Sequence, residues 1–182
     1  MGVTLEKVCK RNINRAISLQ NTIFPLENGT RDITNSVTND IASYYSLHKH
    51  WIIKADGKDV GIAGLYAYKD YPNDVWMAWF GIIKTERKKG YASITFKKML
   101  EKCKKLGFAT FRLYTDDVEN NVAVSFYNKM GMTSEIYNNP NDVHREIGNT
   151  LIFSLSLTDK PVAKWNNQYL YLSDHDKLNN IK

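Results

Sequence analysis

The hydrophobic and polar positions change period several times along the chain, and each change marks an element. VTLEKVC (3–9) reads as a first strand, and NINRAISLQNTIF (12–24) switches to helical spacing through Ile13, Ile17 and Leu19 until Pro25 stops it. NGTRDITNSVTNDIASYY (28–45) predicts a second helix, weaker because so many of its residues are polar. Three apolar runs follow, HWIIKAD (50–56), DVGIAGLYAYK (59–69) and VWMAWFGII (75–83), separated by the turn signals GK and DYPND. They predict an antiparallel three-stranded meander. Ala92, Phe96, Met99, Leu100 and Cys103 then recur at helical intervals with lysines between them, closed by Gly107. FATFRLYTD (108–116) predicts a strand, NNVAVSFYNKMG (120–131) a short helix, and MTSEIYNN with NTLIFSLSL a last pair of strands. Residues 160–182 leave this pattern. An extra strand on the domain or on a second subunit, or a partly disordered end, would each fit them.

At 182 residues and 21.0 kDa, the chain suits one α/β (α+β) domain over residues 1–159, with 160–182 as a C-terminal extension. No linker-like tract or internal repeat divides it. No apolar run approaches the roughly 20 residues of a membrane span. The N-terminal MGVTLEKVCKRN has no apolar signal core and no myristoylation pattern, so a cytoplasmic protein without a membrane partner is expected. Cys9 and Cys103 belong to no CxxC spacing and are expected in the core. No metal is expected either. His48 and His50 would share one face of a strand but have no third ligand in register, which predicts surface or strand-edge histidines, and the DHD at 174–176 is a weaker signal still.

The net charge of +6 is concentrated in one segment, since residues 84–112 hold ten basic and two acidic side chains. WMAWF is expected as buried strand, and the lysines of FKKMLEKCKK as the solvated face of a helix, so no nucleic-acid partner is expected. The segment's densest part, RKKGYAS (87–93), has a more specific use. A strand ending in GII passes through KTER and opens a helix at KKGYAS, where free backbone N–H groups meet the positive end of the helix dipole. Gly90 lets the backbone approach an anion closely, and Ala92 leaves space beside it. A phosphate is the natural occupant. The pattern is neither the triphosphate P-loop nor the dinucleotide turn.

These residues resemble the GNAT superfamily of acetyl-CoA-dependent N-acetyltransferases. Arg87, Gly90 and Ala92 match its central Arg/Gln-x-x-Gly-x-Gly/Ala signature, and Asn120, Ala123, Tyr127 and Gly131 stand in the register of a second family motif. The resemblance covers roughly residues 45–157 and implies a GNAT fold, a mixed, mostly antiparallel sheet splayed between its fourth and fifth strands and flanked by helices. Pantetheine would insert between VWMAWFGII and FRLYTD, with Gly81 marking a bulge. By that likeness, backbone groups of Ile82 and Lys84 bind the pantetheine, and Asn120 holds it from the far side. The N–H groups of Lys88, Lys89, Gly90, Tyr91, Ala92 and Ser93, beside Arg87, cradle the pyrophosphate. Lys84 and Lys88 depart from the family's usual proline and glycine without removing those donors.

The resemblance further implies acetyl transfer from acetyl-CoA to a primary amine by direct attack in a ternary complex, with Tyr127 giving a proton to the departing thiolate. A base for the attacking ammonium is not identified, although Glu27, Tyr66, Tyr68, Tyr114 and Asp116 lie on segments that face the acceptor in similar folds. Glu27, Asp32, Tyr44, Tyr45, Tyr66 and Tyr68 could attract a small-molecule amine, and a peptide amine is equally admissible. The alternative is a non-catalytic acyl-CoA sensor or interaction module. A homodimer is left open by the C-terminal extension.

Overall fold

A computed structural model of the chain describes residues 2–38, 41–118, 121–142 and 148–179. Among these residues seven strands form one sheet: β1 (Val3–Lys7), β2 (Tyr45–Ala55), β3 (Lys58–Tyr68), β4 (Asp74–Ile82), β5 (Thr110–Asp116), β6 (Thr133–Tyr137) and β7 (Thr150–Ser156). Their spatial order is β1-β2-β3-β4-β5-β7-β6. Every neighbouring pair is antiparallel except β4 and β5, which are parallel. The helices are α1 (Ile13–Ile23), α2 (Thr30–Asn35), α3 (Tyr91–Lys105), α4 (Val122–Lys129) and α5 (Leu172–Asn179). Among the described residues, no helix is long and apolar enough to cross a membrane.

Strand periodicity divides the core into two faces. Trp51, Ile53, Leu65, Val75, Met77, Phe111 and Leu113 pack beneath Phe96, Met99 and Cys103 of α3 and Tyr127 of α4. Met99 and Phe96 are almost completely enclosed, and each contributes about 1.5–3 kcal/mol by leaving water. The stem of Lys102 reaches past this core to place its ammonium 5.2 Å from the Trp51 ring. On the opposite face, Ile52 and Ile62 meet Ala16 of α1 and Ile33 of α2. Tyr45, Tyr66, Tyr68, Trp76 and Ile152 continue that face and are covered by Trp165, Leu170 and Leu172.

The second helix is much shorter than its sequence suggests, and β2 starts at Tyr45, five residues before the first expected strand position. Thr34 and Ser36 turn their hydroxyls onto the Thr30 and Ile33 carbonyls, and Ser and Thr at such positions compete with helix continuation. Beyond β7, residues 160–171 form no strand. They run irregularly across the sheet to α5, with Trp165 fully buried against Trp76 and Tyr71.

A buried guanidinium sits within this covered face. Arg112 of β5, 2 % exposed, donates from Nε to Asp74 Oδ1 at 2.6 Å and from Nη1 to Ser154 Oγ at 2.6 Å. Its guanidinium lies 5.2 Å from the Trp165 ring. Arg112 is therefore a structural cation, and one of the ten basic residues of the 84–112 segment is unavailable to a ligand.

Candidate active site

The parallel pairing of β4 with β5 lasts for only three positions, Asp74 with Thr110, Val75 with Phe111 and Trp76 with Arg112. Past Trp76 the strands part. Burial records the separation, because Val75, Trp76 and Met77 are buried whereas Ala78, Trp79, Phe80 and Gly81 are half-exposed. An extended ligand can enter this opening and bond to strand backbone that lacks a sheet neighbour.

A bulge lies on the β4 side of the opening. Gly64 pairs with Ala78 and Ile62 with Gly81, so Trp79 and Phe80 together stand opposite Ala63. The extra residue sends Trp79 to the α1 and α2 face, where it meets Phe24 with ring centroids 5.3 Å apart, and Phe80 to the other face, against Phe96 and Phe126. Gly81, expected to mark the bulge, immediately follows it. A Cβ there would lie 2.5 Å from Ile23 Cγ2, so its small size serves the close approach of the end of α1.

At the end of β4 the chain makes a 3-10 turn over Lys84–Glu86, and the Arg87 side chain folds back so that Nε donates to the Ile82 carbonyl at 2.9 Å. Lys88 and Gly90 both have positive φ, +64° and +81°. Alternation of such residues with ordinary ones turns successive N–H groups inward, the geometry of an anion-binding concavity. Gly90 is the N-cap of α3 and contributes no side-chain cap, and the first turn holds no acid. The first intrahelical bond of this end runs from Ile94 N to Gly90 O, which leaves the N–H groups of Tyr91, Ala92 and Ser93 without helical acceptors. Lys89 binds Glu86 at 2.8 Å, so its charge is partly neutralised. The left-handed backbone at Lys88 explains why a family would prefer glycine there: the N–H donor survives the substitution but the backbone is strained.

Tyr127 on α4 is 8 % exposed and packs against Phe96, Phe126 and Phe153. Burial pushes its phenol well above the ordinary value, so it stays protonated at neutral pH and can serve as a proton donor. Asn120 lies outside the described residues. Its neighbour Asn121 caps α4, accepting from Ala123 N at 2.9 Å and donating to Asp116 Oδ1 at 2.8 Å. That places Asp116 in a cap network at the end of β5. Glu27 lies on the exposed loop after α1.

The histidines depart furthest from expectation. His48 and His50 are 3 % and 1 % exposed, on the face of β2 that looks toward α2, and Asp32 of α2 supplies the third polar side chain. Asp32 Oδ1 lies 2.9 Å from His48 Nε2, and Oδ2 lies 3.5 Å from His50 Nε2 while accepting from Trp79 Nε1 at 2.8 Å. Burial alone would raise the Asp32 pKa, but the adjoining His48, within hydrogen-bond distance of Oδ1, outweighs it and holds the carboxyl well below the usual range. Burial drives His50 down to about 3, which keeps it neutral. His175 of α5 reaches the same face, with ring nitrogens 2.9 Å from Tyr45 Oη and 3.2 Å from Tyr114 Oη. Tyr66 is buried nearby, and burial holds its phenol protonated as well. The available signal in the sequence was the His-x-His spacing. Its third member comes from a helix, 16 residues upstream of His48.

The family model described as "Acetyltransferase (GNAT) family" matches residues 15–132, well over half of the chain. The chain belongs to the GNAT family. No curated protein matches it in sequence. Among solved structures, this GNAT chain is similar to the ribosomal-protein-S18-alanine N-acetyltransferase from Escherichia coli, at 14% identity and TM-score 0.66, covering 93% of this chain and 100% of that one. It is also similar to Arabidopsis thaliana NAA60 in complex with acetyl-CoA, at 14% identity and TM-score 0.63, covering 85% and 98%. A putative GNAT acetyltransferase from Desulfovibrio desulfuricans gives 11% identity and TM-score 0.71, covering 86% and 100%. At these identities the structural likenesses establish the fold, and family membership establishes acetyl transfer as the general chemistry.

Proposed function

We propose that the chain is an N-acetyltransferase that moves the acetyl group of acetyl-CoA to a primary amine by direct attack in a ternary complex. The observation that carries this reading is the parting of β4 and β5 after three residue pairs, with the uncapped N-terminus of α3 a short turn beyond β4. Pantetheine would lie in the opening against Ile82 and Lys84, and the pyrophosphate on the N–H groups from Lys88 to Ser93 beside Arg87. The amine lone pair attacks the thioester carbon, the C–S bond breaks as the oxyanion collapses, and the Tyr127 phenol gives its proton to the departing thiolate. The ammonium proton must leave before attack. A small-molecule amine is the favoured acceptor, drawn by the acidic and aromatic side chains of the N-terminal half that remain open to solvent, Glu27 and, in part, Tyr44. A peptide N-terminus is the second reading, favoured by the likeness to the S18-alanine N-acetyltransferase.

A thiol-release assay with acetyl-CoA over a panel of small amines and peptides tests this directly. Tyr127→Phe should lower kcat at least tenfold while acetyl-CoA affinity stays within about twofold. Failure of every amine to support turnover, with CoA still bound, would replace the enzyme by a sensor of acyl-CoA.

A further inference from the structure

We infer that Asp32, His48 and His50 form a binding site for a divalent transition ion of the zinc class, holding α2 to β2 beside the β4 bulge. The tautomer of His50 is the starting point. Ser36 Oγ spends its single hydrogen on the Ile33 carbonyl at 2.7 Å, so at the 2.9 Å contact with His50 Nδ1 the hydroxyl oxygen accepts and the ring donates. His50 Nε2 then carries a lone pair. That lone pair faces Asp32 Oδ2 at 3.5 Å, and the carboxylate is also only an acceptor. Two buried acceptors facing each other are an unfavourable arrangement unless a cation lies between them.

His48 Nε2, 2.9 Å from Asp32 Oδ1, completes a set of three ligand atoms that all lie within 4.8 Å of one another. Both imidazoles are more than nine-tenths buried, and His50 Nε2 and His48 Nδ1 have no hydrogen-bond partner among the described residues. The surroundings are arranged as around a metal. Ser36 fixes the ring of His50 from its far nitrogen, and Trp79 Nε1 fixes Asp32 at 2.8 Å, the outer bonds that orient metal ligands. Gly64 makes room for the ring edge that would bind the ion, since a Cβ there would stand 2.5 Å from His50 Cδ2 and 2.7 Å from Nε2. Two imidazoles and one carboxylate select zinc, cobalt or nickel over calcium or magnesium, with a remaining position for water. Binding at this site is independent of acetyl transfer, and its readouts need no turnover.

Chelator-stripped full-length protein should bind one Zn2+ with a Kd below 1 µM by calorimetry, a tightness characteristic of a preformed three-ligand site. Co2+ should give the visible absorption of a four- or five-coordinate ion, and X-ray absorption of the zinc form should show nitrogen and oxygen neighbours at about 2.0–2.1 Å with no sulfur. His48→Gln and His50→Gln should each weaken binding at least 100-fold, and Ser36→Ala about 10–100-fold. Should those variants fail to fold, the wild-type protein still decides: its thermal midpoint should rise with Zn2+ concentration and return on chelation. Stoichiometric zinc binding that persists in the His48→Gln/His50→Gln double variant, a sulfur neighbour, or a thermal midpoint indifferent to Zn2+ would each overturn the assignment.

Discussion

Asp74→Asn should destabilise the protein by about 3 kcal/mol, because it removes the charge that neutralises a buried guanidinium. Arg112 is 2 % exposed and donates to the Asp74 carboxylate at 2.6 Å, its one ion pair among the described residues. Asparagine keeps the shape of the site and one acceptor oxygen, so the change isolates charge from packing. Breaking a buried pair on one side costs about 3–5 kcal/mol, and the lower end applies because the Asp74 side chain is 15% exposed. At roughly 2–4 °C per kcal/mol for a chain of this size, the thermal midpoint should fall by about 6–12 °C. Urea unfolding followed by circular dichroism gives the free energy, and the double variant Asp74→Leu/Arg112→Met separates attraction from desolvation. That double variant should recover most of the loss, since neither charge remains buried. The pair also spans the short β4–β5 contact, from Asp74 at its first position to Arg112, register partner of Trp76, at its last. Asp74→Asn should therefore weaken acetyl-CoA binding as well, without touching the ligand. A loss below about 1 kcal/mol would refute the argument by showing that Arg112 finds water or another partner when Asp74 is neutral.

Lys88→Gly should raise stability by about 0.5–1 kcal/mol in urea unfolding, the relief of a left-handed lysine less the entropy of a freer unfolded chain, with acetyl-CoA affinity unchanged. Gly64→Ala should cost about 1–3 kcal/mol, since its Cβ would meet the His50 ring at 2.5 Å, and the near-ultraviolet signal of Trp79 should shift with it. In metal-free protein, His50 stays neutral in the folded state down to about pH 3, whereas in the unfolded chain it takes up a proton near pH 6.5. Stability should thus decline as pH falls from 6.5 toward 3, by up to about 4 kcal/mol, and His50→Asn should flatten that slope. An unchanged slope in the variant would assign the acid sensitivity to other groups.

What could be read from the sequence was local. Arg87, Gly90 and Ala92 lie within six residues, so the spacing that forms the cradle is visible without knowing the fold, and the strand and helix on either side follow from periodicity. The left-handed backbone of Lys88 was not visible, because a lysine gives no sign of it. The meander of β2 to β4 was legible through its turns. The start of β2 was not, since Tyr44 and Tyr45 follow a Ser, Thr and Asn-rich stretch that resembles a continuing weak helix. Asp32 meets His48 and His50 only because α2 lies over β2, and the role of Trp165 depends on an aperiodic segment returning to β5. Long-range placement of this kind leaves no period in the chain.

The returning segment also sets the order of events during synthesis. Trp165, Leu170 and Leu172 cover Tyr68, Trp76 and Arg112, and the Tyr68 hydroxyl bonds the Leu170 carbonyl. At roughly 5–20 residues per second, about 3–10 s separate the translation of Arg112 from that of Trp165. Throughout that interval the nascent sheet carries an aromatic face and a charged arginine with no lid. A chaperone that binds exposed aromatics would find its target there, and the release of that face would coincide with the arrival of Trp165, Leu170 and Leu172.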